Sequence, residues 1–459
     1  MLKPNPGERA ALLVRAACSG EMPRARAFLA DEPGLAVFDL YTACATGEAD
    51  AVAKFLAADA TLVTRKGGPD NWEPILYACF SRFLRTDAGR ATGILRTVKM
   101  LLEHGADANS HFVVQSDGHS FIQTPLFGAA GIANDAALTR MLLDAGADPN
   151  ELTGAPDLAT WSSLGTEALY HASEFEDVAC LKMVLEAHPH PLRVSYCLAR
   201  AVDFDNTAAI LLYLDHGADP NFRIPWLNNR THLHKAVIFG RAPEVIGRMI
   251  ERGGDVNVTD DRGESVYQHA VRFGHPELAI LLERHGANVA TATHVDRFLG
   301  ACVSGAAAPP VPLTNGAGRD VLCRAAQLGD VAAIRRLLNA GVDPNSIGGS
   351  DGTPPLHWAC WRGQADAAHV LVEHGASLTQ TNRYGGTALG TTINGSCNCQ
   401  DVEGGPSMKL PEEITHGDYS GIVEFLIGKG AKLPEKVSGG SDGVREILSR
   451  HGVPEDIAW

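Results

Sequence analysis

One phrase constrains this chain more than any other feature, because the chain keeps returning to it. Leu337–Asn345 (LLNAGVDPN) recurs as Leu101–Asn109 (LLEHGADAN), Leu142–Asn150 (LLDAGADPN), Leu214–Asn221 (LDHGADPN) and Ile250–Asn257 (IERGGDVN). Looser copies stand at Leu281–Val289, Leu371–Leu378 and Leu426–Leu433. Each copy reads as the last turn of a helix, a Gly placed to leave it, and an Asp/Asn/Pro turn. Gly suits that place because the residue past a helix end commonly needs positive φ. Units that repeat in this way pack on their neighbours, so the array grows without one central core.

The glycines measure the period. Gly253 to Gly286 is 33 residues, Gly341 to Gly375 is 34 and Gly217 to Gly253 is 36. Gly105 to Gly146 is 41, a unit with a longer connection, while Gly286 to Gly341 and Gly375 to Gly430 are each 55. An opening phrase precedes each closing one: TPLFGAAG from Thr124, TPPLHWACWRG from Thr353, and degenerate forms at Thr166–Ala172, Thr231–Ala236, Ser265–Ala270 and Asp320–Ala326. Thr caps a helix N-terminus and Pro is tolerated in the first turn. A second helix follows with apolar residues at helical spacing, as at Val331, Ile334, Leu337 and Leu338.

These two phrases at this period resemble the ankyrin repeat family, whose pattern is TPLHxAA, a short turn, an amphipathic helix and GADPN. The resemblance implies an all-α solenoid of about twelve helix-turn-helix units, joined by projecting β-turn fingers and curved around a concave binding face. It also implies that His357 and His234, in the opening phrase, hydrogen-bond between neighbouring turns. The expected layout is an N-terminal array over 1–305, ending in a truncated repeat at 293–305. A Pro/Gly-rich seam follows over 306–318, then a C-terminal array over 319–459 closed by a helix at 442–453. Two insertions, Ser81–Gly93 and Ser396–Asp418, are expected to part helix pairs as loops.

The formal charge of −15 argues against nucleic acid and anionic membrane as partners, which want clustered Lys and Arg. No run approaches the ~18 apolar residues of a membrane span, and no signal peptide is evident at the start of the chain. Ten scattered cysteines suit a reducing compartment, so the expected location is cytoplasmic. Neither a phosphate loop nor a GxSxG or HExxH motif is present. No enzyme activity, cofactor, metal or small-molecule substrate is therefore expected.

The bland reading absorbs most reactive side chains. His104, His216, His285, His374 and His451 precede a closing Gly, where an imidazole meets the last helix carbonyls. Asp107, Asp148, Asp219, Asp255 and Asp343 repeat with the turn and are turn residues. What breaks the period is aromatic or basic. Trp72, Trp161, Trp226 and Tyr384 lie between units, with Arg223, Arg230 and Arg262 nearby, and Trp361 ends a first helix. Trp, Tyr and Arg carry much interface energy, so these eight are the candidate contacts for another protein on a non-catalytic scaffold. An effector acting on a host protein is one form of that reading. The rival is a metal- or redox-dependent function around 396–418, drawing on His357, Cys360, Cys397, Cys399 and His416.

Overall fold

A computed structural model describes residues 5–116, 119–152, 167–224, 227–314, 316–348, 352–398, 417–437 and 439–454. The chain divides into two compact units, one ending at Ala218 and one beginning at Asp219. Both are helical, as the repeat predicts.

In the first unit, helices come in pairs. Pro6–Ser19 pairs with Met22–Asp31, Leu40–Thr46 with Ala49–Ala58, and Pro74–Phe80 with Ala88–Glu103. A π-helical stretch, Phe127–Ala133, pairs with Ala136–Asp144; Glu167–Ala172 with Ala179–Glu186; and Pro191–Asp203 with Thr207–Asp215. The first members stack in one layer; the second members from Ala49–Ala58 onward stack in another. The segment 81–93, expected as a loop, is instead helical: a turn at Phe83–Thr86 and then the start of Ala88–Glu103. Asp87 caps that helix by accepting from the Arg90 N–H. Gly93 lets the helix cross close to the preceding unit, since a Cβ there would stand 1.9 Å from the Gly47 carbonyl. Two strands, β1 (Phe112–Ser116) and β2 (His119–Gln123), form an antiparallel hairpin in the long connection that the 41-residue spacing marked.

The second unit starts with a short strand pair, β3 (Arg223–Ile224) and β4 (Arg230–Thr231). Helix pairs follow at His232–Ile238 with Pro243–Glu251 and Val266–Arg272 with Pro276–Arg284. Then comes a single helix, His294–Ser304, as the truncated repeat predicts. Three more pairs are Arg319–Leu328 with Val331–Asn339, Pro355–Trp361 with Ala365–Glu373, and Ala388–Asn398 with Tyr419–Gly428; Asp442–Arg450 closes the row. The single helix packs on a first-layer helix before it, Val266–Arg272, and on a second-layer helix after it, Val331–Asn339. Gly300 permits the crossing, a Cβ there lying 2.0 Å from the Val271 carbonyl. The 306–318 seam thus lies within this unit, and Arg336 bridges across it to the Cys302 and Val303 carbonyls.

Each second helix buries its apolar stripe: Ala333, Ile334, Leu337 and Leu338 in Val331–Asn339, with Val331 only half-buried. Each fully buried Leu or Ile contributes about 1.5–3 kcal/mol. Polar brackets then fix the spacing between neighbouring turns. Asn257 donates to the Gly286 carbonyl and accepts from the Asn288 N–H, and Asn345 does the same with Gly375 and Ser377. The aspartates two residues earlier accept from the backbone N–H of those asparagines, which bears out their turn role.

Candidate functional site

The strongest departure from the regular array is a buried charge cluster in the second unit, under the finger at 259–265. The finger is a tight turn closed by a bridge between Thr259 and Ser265. Asp260 organises it: Oδ1 accepts from the Arg262 and Glu264 N–H groups at 2.9 and 3.0 Å. That leaves Oδ2 facing inward, where Arg230 Nε donates to it at 3.0 Å.

Arg230 is the hub. It is held at the end of β4, just before Thr231 caps the His232–Ile238 helix. Its Nη2 reaches Asp320 at 3.3 Å and Glu264 at 3.5 Å. Asp320 lies in the first turn of Arg319–Leu328 and also accepts from Arg262 at 2.9 Å. One turn further along, Arg324 lies 4.4 Å from the Phe239 ring centroid and donates to the Phe239 carbonyl. Arg272 completes the cluster by bridging Glu264 and Asp296 at 2.5 and 2.6 Å. A cavity of about 160 Å³ opens beside these groups, lined in part by Arg262, Glu264, Arg272, Leu299, Gly318 and Asp320.

His269 sits on the inner side, fully buried on the Val266–Arg272 helix. Its Nε2 is 3.6 Å from Asp260 Oδ2 and 3.8 Å from Glu264 Oε2, and neither ring nitrogen has a hydrogen-bond partner within 3.5 Å. Leaving a buried polar atom unsatisfied costs about 1–3 kcal/mol. Burial pushes this imidazole down to about 3, against the pull of Asp260 and with the help of the Arg230 and Arg272 charges. Burial works to raise the Asp260 carboxyl, but His269, the Glu264 N–H and Arg230 outweigh it and hold the acid well below the usual range. Near neutral pH the cluster therefore holds an ionised Asp260 beside an uncharged imidazole.

A family profile described as ankyrin repeats, in three copies, matches residues 198–293 and 299–393. Over those residues the chain carries ankyrin repeats. Its repeats are similar to those of an ankyrin repeat-containing protein of Treponema pallidum, 29% identical over 147 residues, which is 32% of this chain and 42% of the relative. The p105 subunit of nuclear factor NF-kappa-B from Gallus gallus is 27% identical over 158 residues, 34% of this chain and 14% of its own. The 2-5A-dependent ribonuclease of Mus musculus is 36% identical over 66 residues, 14% and 9% respectively. The matched stretch spans less than half the length of each of these relatives.

Against this ankyrin frame the eight candidate contacts scatter. Trp161 and Trp226 lie outside the described residues. Trp72 does not project: its ring stacks on Phe112 at 3.9 Å and on Tyr77 at 5.1 Å, because an aromatic surface was at hand to cover it. Arg230 is buried in the charge cluster rather than offered on a finger, and Arg262 leans back onto Asp320. Arg223 stays exposed but is tied to the Asn229 and Thr259 carbonyls. Trp361 is half-buried against the core, its carbonyl accepting from Tyr419. Tyr384 stands out in solvent, 68% exposed on a finger turn, with the Arg383 guanidinium 5.2 Å from its ring centroid.

The residues named for the rival reading have structural partners where they are described. His357 Nε2 bonds the Gly386 carbonyl, and burial pushes the Cys360 thiol up to about 12. Cys397 Sγ accepts from the Gly440 N–H, while Cys399 and His416 fall outside the described residues. As the family implies, His234 also reaches the next turn, at the Glu264 carbonyl. Of the helix-end histidines, His104, His216 and His374 bond the carbonyl four residues back, whereas His451 pairs with Glu424. Asp260, Glu264, His269, Arg272 and Asp320 were not singled out from the sequence. Their signal was present in the opening phrases, where His269 precedes the closing Ala of SVYQHA and Asp320 opens DVLCRAA in place of Thr.

Proposed function

We propose that this ankyrin-repeat chain, an array of about twelve units, is a non-catalytic scaffold that binds another protein through its fingers. The observation that carries the reading is Tyr384. A large ring left in water on a turn pinned by Asn382, whose side chain accepts from the Tyr384 and Gly386 N–H groups, is a preformed anchor. Rigid aromatic side chains of this kind pay little ordering entropy on binding and are enriched among interface hot spots. Ile347, on the preceding finger, is likewise 53% exposed.

Several observations support the rest of the proposal. Among the described residues the cysteines form no disulfide, which suits a cytoplasmic setting. Among the described residues no helix is long and apolar enough to cross a membrane. One relative is a ribonuclease, but the shared stretch is 9% of it, and the family's contribution to this chain is read as recognition rather than chemistry. The test is affinity capture from native cells with the full chain, quantified by mass spectrometry, against Tyr384→Ala and Ile347→Ser. Partners bound by wild type should fall at least tenfold with Tyr384→Ala. Unchanged capture of every partner by both variants, and by Trp161→Ala and Trp226→Ala, would remove the fingers as the interface.

A further inference from the structure

We propose that Asp260, Glu264 and His269 form a binding site for one divalent transition-metal ion of the zinc class. The three residues offer one nitrogen and two carboxylate oxygens within 4.8 Å of one another. A metal bound at roughly 2.0–2.2 Å from such ligands holds them about 3.3–3.6 Å apart. The imidazole already stands 3.6 and 3.8 Å from the two oxygens, so modest side-chain shifts close the set.

Three further features point to an ion. First, His269 is fully buried with no hydrogen-bond partner within 3.5 Å of either ring nitrogen, and Nε2 faces the carboxylates. An apolar residue would fill that helix position without leaving orphaned nitrogens, so the ring needs a partner its present neighbours do not supply. Second, the ligand oxygen of Asp260 is aimed. With Oδ1 fixed by two backbone N–H groups, Oδ2 is the atom turned toward His269. Third, among the described residues four carboxylates (Asp260, Glu264, Asp296 and Asp320) share three hydrogen-bonding guanidiniums (Arg230, Arg262 and Arg272). Arg319 stands at the half-exposed rim, 3.8 Å from Asp320.

Arg230 is the competitor, since its Nε holds Asp260 Oδ2. It has a second anchor in Asp320, so it can yield that oxygen and keep a carboxylate. The adjoining cavity borders Glu264, one of the three ligands. Two ligands come from the finger and one from the helix below it. A bound ion would therefore clip the finger to the first-helix layer, the role of a structural metal.

The test uses the full chain purified without a polyhistidine tag, stripped with a chelator, then titrated with Zn²⁺ by calorimetry and with Co²⁺ by visible absorption. Wild type should take up one tight equivalent, with Co²⁺ giving the intense bands of a four- or five-coordinate nitrogen–oxygen site. His269→Leu and Glu264→Gln should each weaken that equivalent at least tenfold, while His285→Gln, on the surface, should leave it intact. If His269→Leu loses its helical circular dichroism, Glu264→Gln decides alone. Absence of a tight equivalent in wild type, or equal uptake by wild type and the cluster variants, overturns the proposal, the second result meaning that scattered surface histidines bind the metal.

Discussion

His171 in the first unit and His269 in the second occupy the same place in the opening phrase, the residue just before Ala172 and Ala270. Their charge behaviour is opposite. Burial lowers both, but at His171 the Glu174 charge and hydrogen bonds to Glu167 and Glu174 outweigh it and lift the imidazole to about 9. At His269 burial prevails, aided by Arg230 and Arg272, and the ring falls to about 3. The difference lies in the sign of the hub. In the first unit a buried anion, Glu174, gathers His171 and Arg200 around itself at 2.7 Å each. In the second a buried cation, Arg230, gathers Asp260, Glu264 and Asp320. A repeat scaffold fixes where a side chain goes, and the neighbouring charges then decide what it is.

Removing the hubs should give the largest effects. Arg230→Met leaves Asp260 buried without its cation, and breaking a buried pair in this way costs about 3–5 kcal/mol. Denaturant unfolding, with hydrogen exchange to localise the loss to the 230–320 region, measures it; a loss under about 1 kcal/mol would mean that the cluster is not held by Arg230. Glu174→Gln should cost somewhat less, about 1.5–3 kcal/mol, since it weakens charge-assisted bonds to His171 and Arg200. The same variant should drop the His171 titration from about 9 toward its ordinary 6.5, Glu167 being left as its only carboxylate partner, as read by the ring proton shifts in NMR.

The pH dependence separates the two regions by sign. His171 binds its proton more tightly folded than unfolded, so its contribution is complete below pH 6.5 and is lost as pH rises toward about 9. His269 is the reverse: stability is intact above 6.5 and is lost as pH falls toward about 3. His234, which burial lowers to about 4, adds to that acid limb. In metal-free protein His269→Leu should therefore shrink the acid limb without abolishing it, and should raise stability at neutral pH by about 1 kcal/mol by removing two orphaned nitrogens. Glu174→Gln should flatten only the alkaline limb. If the two variants change the same limb, the contrast between the hubs fails.

Periodicity exposed the scaffold because it repeats: the closing Gly and the turn Asp were both legible in the sequence. The helix over 83–93 was not, since Gly89 and Gly93 argue locally for a loop while packing on Gly47 demands a Gly. The hairpin at 112–123 was marked only as extra length. The buried cluster escaped for a different reason. Arg230 and Arg262 looked like finger residues by their position, and nothing in the chain order tells that Asp320, 90 residues beyond Arg230, comes to meet them. Long-range pairing of that kind follows from the lost second helix, which lets Arg319–Leu328 approach the earlier turns.

The smallest expected effect tests the finger turn itself. Residues 260–264 and 382–386 share one backbone pattern: the first residue's side chain accepts from the N–H groups two and four residues on, and Gly263 and Gly385 both take positive φ. Asp holds the first turn and Asn the second, one buried among arginines and the other beside exposed Tyr384. A carboxylate oxygen accepts both N–H groups as well as an amide oxygen does. Asn382→Asp should therefore stay within about 0.5 kcal/mol of wild type. It should also leave the exposure of Tyr384 unchanged, as judged by its quenching with acrylamide. Asp260→Asn, at the matching place, should cost more despite the identical turn, because there the charge and not the turn is what Arg230 needs. Equal costs for the two substitutions would show that the turn hydrogen bonds, rather than the buried ion pair, set the stability of the 260–264 finger.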